Sequence, residues 1–242
     1  MTAACLTALV NPGHSICQPE RSEGSCPRAS VLAEKVPRCA RDEVTPSADP
    51  LPRPDTPDWG RLAREIHAET NAVRGNPSGY AEHLERMLPL FDNEVLERPG
   101  RSYLRTEEGA AAVREAIAAL KARRPAAPLR WSEGLTAAAA DHVRDQGPIG
   151  GLEHQGTDNS DPARRASRYG RWIQGVAENI AYGENPAQAV VIQLLVDDGV
   201  LDRGHRDNIL DPDWGAAGVA CGPHRRYRQM CVMDYAAKYV ER

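Results

Sequence analysis

Two histidines in glycine-flanked loops, one glutamate inside an apolar run and two aspartates at a helix end are the residues of this chain best suited to chemistry. His205 stands in "DRGHRDNIL", between a helix-like apolar run and a segment that reads as strand. A solvent loop has no use for the closing Asn-Ile-Leu, and a core strand does not tolerate the polar first half. The stretch therefore reads as a loop that bends inward and presents His205 to a polar site. His154, in "GGLEHQG", occupies a similar loop directly after a helix. Glu178, in "GVAENIAYG", is costly to bury unless a cation or hydrogen-bond donors meet it. Asp197 and Asp198 close "VVIQLLVDD" just before the His205 loop. Two imidazoles with one or two carboxylates, all at element ends, form the donor set of a divalent-metal or acid–base site.

The elements that must position these groups follow from apolar periodicity. Leu62, Ile66, Thr70 and Val73 share a helical face that ends before "RGNPSGY", and Tyr80, Leu84, Met87, Leu88 and Phe91 make a second amphipathic stretch. Residues 92–106 read as loop; Val113, Ile117 and Leu120 mark a third helix, stopped by "RRPAAP". Ser132 caps a fourth helix, with Leu135, Ala139, His142 and Val143 on one face. "NSDPARRASRYG" is a short helix between a capping Ser160 and Gly170, and Asn185 caps another that has Pro186 in its first turn. After His205, "WGAAGVACG" and "YRQMCVMDYAAKYV" read as an antiparallel hairpin with its tip at 222–226, which a short strand around 179–182 could join. Helices first and strands last, without βαβ alternation, predict an α+β fold.

Cys221 and Cys231 flank the hairpin tip at near-symmetric positions. Opposed residues of an antiparallel pair come close enough for a disulfide; two buried thiols are the alternative, and the bridge is favoured because both lie beside one turn. A bridge implies maturation in an oxidising compartment. The apolar fraction of 41% among 242 residues supports a real core, but with a single Phe it must be largely aliphatic. A net charge of −4 excludes a global positive field that would draw nucleic acid, and "HRRYR" at 224–228 reads as a solvated hairpin tip. No run approaches the roughly 18 apolar residues of a membrane span. "MTAACLTALVNPGH" lacks the basic start and long apolar stretch of a secretory signal. Residues 1–58 are rich in Pro, Ser, Arg and Glu and read as a disordered extension, with the folded domain occupying 59–242. Cys5, Cys17, Cys26 and Cys39 fall in that extension at spacings that match no zinc pattern.

Four stretches in this order, "HAETNAVRGNPSGYA", "GVAENIAYG", "GHRDNIL" and "GVACG…MCVMDYA", resemble the CAP superfamily (cysteine-rich secretory, antigen 5 and pathogenesis-related proteins) in its bacterial SCP-type form. The resemblance spans about residues 62–239. It implies an α-β-α sandwich, a small antiparallel sheet between helical layers, with a central cleft holding two His and two acids. Those are His154, Glu178 of an "AEN" where the family carries "GEN", His205, and an acid near Asp197 where many relatives carry Glu. Asp198 is adjacent and Asp is a methylene shorter, so the fourth position stays open between the two. The resemblance also implies an extracytoplasmic monomer that takes a small molecule, lipid or protein ligand in the cleft.

Three functions fit these residues. The first is a binding module, with zinc or a similar divalent ion at His154 and His205. The second is a metal-assisted hydrolase with Glu178 as general base, although neither "HExxH" nor "GxSxG" is present. The third keeps His154, Glu178 and His205 as a structural hydrogen-bond network. Arg206 reads as structural, His142 as a core histidine, and His67, His83 and His224 as ordinary helix or surface residues. Asn179 is expected to satisfy backbone groups, and Trp131, Trp172 and Trp214 to form core or cleft walls.

Overall fold

The computed structural model describes the backbone of residues 6–10, together with residues 57–98, 100 and 103–242. The four N-terminal cysteines and most of the proline-rich extension lie outside the described residues. Helix α1 (Trp59–Gly75) starts where the Asp58 side chain accepts from Arg61 N at 2.9 Å, and it buries Leu62, Ile66 and Val73. Asn76 then caps α2 (Pro77–Glu85) by accepting from Gly79 N at 3.0 Å, with Pro77 in the first turn. Where the sequence reads as loop, three two-residue strands, β2 (Phe91–Asp92), β3 (Val95–Leu96) and β4 (Leu104–Arg105), pair antiparallel. Segments this short carry too little alternation to register as strands in sequence. Helix α3 (Ala110–Ala122), strand β5 (Arg130–Trp131) and helix α4 (Glu133–Ile149) follow. Ser132 caps α4 through its hydroxyl, which accepts from Leu135 N at 3.1 Å.

Helix α5 (Pro162–Tyr169) is capped by Asp161, which accepts from Arg164 N at 2.7 Å, rather than by Ser160. The strand expected at 179–182 is the end of a longer β6 (Gly170–Tyr182), whose pairing with β8 is interrupted between Ile173 and Val176. That irregularity breaks the period-2 pattern and hides the strand's first half from a sequence reading. Helix α6 (Ala187–Val196) begins after a cis Asn185–Pro186 bond, with Pro186 as its cap residue in place of Asn185. Helix α7 (Gly204–Leu210) occupies most of the stretch around His205 that the sequence predicts as loop. Strands β7 (Ala216–His224) and β8 (Arg228–Glu241) form the final hairpin; pairing continues through His224 and Arg228, so its tip is 225–227.

The main sheet has the order β1-β6-β8-β7-β5, where β1 is Leu6–Val10. Two findings depart from the expected small antiparallel sheet behind a structureless extension. Strand β5 joins β7 in parallel, and β1, inside the segment read as disordered, pairs antiparallel with β6 from Leu6 opposite Ile180 to Val10 opposite Val176. Successive residues of a strand face opposite sides, and β6 builds two layers in this way. Ala177 and Ala181 pack in the large core with Ile66, Val190 and Leu194 of α1 and α6, while Ile180 and Tyr182 pack with Ala139 and Val143 of α4. The outcome is an α-β-α sandwich. Gly218 of β7 lets α4 close on the sheet, since a Cβ there would stand 2.1 Å from Thr136 N.

Trp214 is buried, whereas Trp131 and Trp172 are partly buried. Arg74 joins the end of α1 to the segment after α7. Its guanidinium donates to the carbonyls of Ala127 (3.0 Å), Ile209 (2.9 Å), Asp211 (2.7 Å) and Trp214 (3.2 Å). Cys221 and Cys231 stand directly opposite in the β7–β8 register and form a disulfide, their Cα atoms 4.1 Å apart.

Candidate functional site

Glu178 projects from the middle of β6 toward α4 and α5 and is completely buried. Its two oxygens have separate partners: His154 Nδ1 lies 2.7 Å from Oε1, and Arg165 Nη2 of α5 donates to Oε2 at 2.6 Å. Arg165 is equally buried, and its Nη1 donates to the carbonyls of His154 (3.0 Å) and Ser160 (2.8 Å), fixing the loop that carries the histidine. Burial alone would raise the Glu178 pKa. The His154 hydrogen bond and the Arg165 charge outweigh it and hold the carboxyl below its ordinary range.

Asp234 of β8 stands opposite Glu178 in the strand register, also fully buried, with no hydrogen-bond partner of good geometry at either oxygen. Burial, and then the Glu178 charge, push its carboxyl well above the ordinary value, with the Arg165 charge acting in the opposite direction. His142 of α4 completes this layer as the core histidine the sequence indicated. It is buried, its Nε2 lies 2.8 Å from the Glu153 carbonyl, and burial lowers its pKa.

The second histidine has its own carboxylate. Asp197 terminates α6 in a left-handed conformation (φ 56°), which turns its side chain onto the start of α7. Its Oδ1 lies 2.6 Å from His205 Nδ1, and its Oδ2 accepts from His205 N at 3.0 Å. Of the two adjacent aspartates, Asp197 is the one that meets His205. Asp198 instead accepts from the backbone N–H groups of Glu107 (2.7 Å) and Glu108 (2.8 Å). Asn179 ties this unit to the sheet: its amide donates to the His205 carbonyl at 3.0 Å and accepts from Asn208 at 2.8 Å. Arg206 has the structural role expected of it, donating to the carbonyls of Leu195 (2.6 Å) and Val196 (3.1 Å) and pairing with Glu115 at 2.9 Å.

The four predicted residues thus form two pairs, His154 with Glu178 and His205 with Asp197. Because Glu178 and Asn179 are neighbours on β6, the two units are anchored from its opposite faces. Both rings are held at Nδ1 by a carboxylate, and both Nε2 atoms are buried with no hydrogen-bond partner among the described residues. An imidazole that donates from Nδ1 to a carboxylate keeps its lone pair at Nε2, the arrangement that supports metal-ligating histidines. The donors fit a metal in kind. In number they do not, since no group of three or more His, Cys, Asp and Glu that could hold a metal ion occurs among the described residues. Glu178 does not fit the role of general base: both of its oxygens are engaged and its pKa is depressed, whereas a base works best near the operating pH.

Sequence reasoning missed Arg165 and Asp234. Asp234 carried a readable signal, an acid within the apolar run "VMDYA". Arg165 is one of several arginines in "PARRASRYG", and nothing local distinguishes it. His224, expected at the surface, is buried, with Nε2 2.9 Å from the Gly151 carbonyl and its ring 5.0 Å from Tyr182. Tyr182 and Tyr227, the latter stacked on it at 5.5 Å, flank its ring.

An α-β-α sandwich with paired histidines and carboxylates about one strand, and a disulfide in the final hairpin, is the class of domain defined here. The chain belongs to the CAP, or cysteine-rich secretory protein, family, whose profile matches residues 68–235. Among solved structures it is similar to an extracellular protein containing a SCP domain from Bacillus anthracis (20% identity, TM-score 0.38, 47% of this chain and 35% of that one). It is also similar to an outer surface protein from Borrelia burgdorferi (17% identity, TM-score 0.39, 45% of this chain and 76% of that one). The match spans little more than a third of the Bacillus protein's length. No curated protein matches the chain. Among the described residues, no helix is long and apolar enough to cross a membrane.

Proposed function

We propose that this chain is an extracytoplasmic CAP module that binds a ligand or partner where its two histidine–carboxylate pairs approach β6. One observation carries the reading: two imidazoles, each oriented by a buried carboxylate at Nδ1, keep Nε2 without a partner among the described residues. Burying such an atom is unfavourable unless something supplies its hydrogen bond or coordination. The occupant is a small molecule, a lipid headgroup, a protein side chain or a divalent ion. Each Nε2 could give one bond to such an occupant, with Glu178 or Asp197 fixing the ring behind it; a divalent ion would need its remaining ligands from solvent or from the partner. The disulfide supports an oxidising compartment.

Calorimetric titration of the full chain with Zn²⁺, beside His154→Ala and His205→Ala, tests the reading. Saturable binding lost in both variants supports it. The opposing reading, a purely structural network, draws on the complete burial of Glu178, Asp197 and His205. Absence of binding, together with strong destabilisation by either substitution, would favour that network instead.

A further inference from the structure

Strand β6 has a neighbour on both sides over the same stretch. β8 pairs with Val176–Ile180 along one edge, and the backbone of β1 (Leu6–Val10) pairs with it antiparallel along the other. Val176, Ala177, Glu178, Asn179 and Ile180 are all fully buried. A buried backbone N–H or C=O without a partner costs about as much as a lost hydrogen bond, and an uncovered strand edge presents a row of them. A strand on this edge is therefore favoured, and the chain supplies one from a distance, since residues 11–58 separate β1 from α1.

The edge lies between the two histidine–carboxylate units. In the register Ala8 stands opposite Glu178, which holds His154, and Thr7 opposite Asn179, which holds the His205 carbonyl. The β1 backbone runs close to α5 of one helical layer and α7 of the other. This edge calls for no charge: Glu178 already has His154 and Arg165, and the other four β6 residues are uncharged. Leu6–Val10, "LTALV", carries no charged residue either. Strand addition of this kind takes its affinity from main-chain hydrogen bonds. We propose that the Val176–Ile180 edge is a docking site for an uncharged, extended peptide segment of a partner protein, and that Leu6–Val10 occupies it as an intrachain competitor. This narrows the ligand of the proposed function to a peptide; it rests on β6 as the binding place but not on the imidazoles as donors.

A fluorescent LTALV peptide with a lysine tail, titrated into the full chain and into its Thr7→Pro/Ala8→Pro variant, provides the test. Successive N–H groups of a strand point to opposite edges, so adjacent prolines remove a ladder donor whichever of them faces β6. A tethered competitor acts at up to about a millimolar, so a peptide with a Kd of about 0.1 mM should bind the native chain about tenfold more weakly than the variant. Ala8→Glu, which sets a carboxylate opposite Glu178 in the register, is a second releasing variant in case the first does not fold. In a releasing variant every second N–H of residues 176–180 should exchange with deuterium at least about tenfold faster, while those facing β8 keep their protection. Neither outcome of the Zn²⁺ titration moves the peptide ratio, so the two readings can fail separately. The proposal is overturned if native and releasing variants bind the peptide equally, if a peptide carrying the same two prolines binds as tightly, or if no binding saturates. It is overturned too if the native chain is a dimer that the variant dissolves, which would make a second copy the occupant.

Discussion

Replacing Glu178 by Gln should cost less than the loss of a buried ion pair ordinarily does, because Asp234 stands beside it able to take over the charge. Glu178 is the carboxylate paired with Arg165, whose side chain is 1% exposed, while burial and then the Glu178 charge both oppose ionisation of Asp234. With Gln at 178 the second of those causes vanishes while the Arg165 charge remains, so Asp234 loses its proton and neutralises the guanidinium. Breaking a buried pair outright costs about 3–5 kcal/mol. The single Glu178→Gln change should cost about 1–3 kcal/mol, the scale of lost hydrogen bonds to His154 and Arg165. Asp234→Asn, which removes the need to bury an acid whose ionisation is opposed, should not destabilise the domain at pH 7 and should stabilise it by whatever the native protein loses on the alkaline side of its pH profile. The double variant leaves Arg165 without a carboxylate and should show the full cost. For a domain of this size that is a loss of about 6–20 °C in Tm, and a coupling of about 1–3 kcal/mol between the two sites. Urea unfolding of the four proteins at pH 7 measures it. Additive single effects, or an Asp234→Asn cost as large as that of the double variant, would refute the shared-charge account.

The same pair predicts two opposing pH dependences. Glu178 has a folded pKa below its ordinary 4.5, so its contribution is present above that value and is lost as pH falls toward about 2. Asp234 has a folded pKa above its ordinary 3.8, so its contribution is complete below 3.8 and fades as pH rises through the folded value. Denaturant midpoints measured across pH should therefore pass through a maximum in the native protein, and Asp234→Asn should remove the decline on its alkaline side. Removing the disulfide with Cys221→Ala/Cys231→Ala should destabilise the domain by about 2.7 kcal/mol, the loop-closure value for a separation of 10 residues. Comparing its urea unfolding with that of the oxidised protein checks this, and a cost below about 1 kcal/mol would mean that the hairpin already restrains the unfolded chain.

Much of the fold was legible because its signals are local. Helix α1 announced itself through Leu62, Ile66 and Val73, α4 through Ser132, and the β7–β8 hairpin through alternation about a turn that also placed Cys221 opposite Cys231. Four motifs in order were enough to place the chain in the CAP family. The two-residue strands, the parallel β5–β7 pair and β1 were not legible, since strand pairing at such lengths is fixed by distant backbone rather than by local pattern.

At the site, the sequence by itself marked which residues would need partners: acids and histidines in apolar or glycine-flanked settings need them wherever they are buried. Only the tertiary structure decided who the partners are. It gave Asp197 rather than Asp198 to His205, through a left-handed turn at the end of α6, and it brought Arg165 and Asp234 to Glu178. It also divided the expected foursome into two pairs, because Glu178 and Asn179 are consecutive on a strand and must face opposite layers. Burial costs are properties of single residues and can be read in order along a chain, whereas charge compensation depends on distances that exist only after folding.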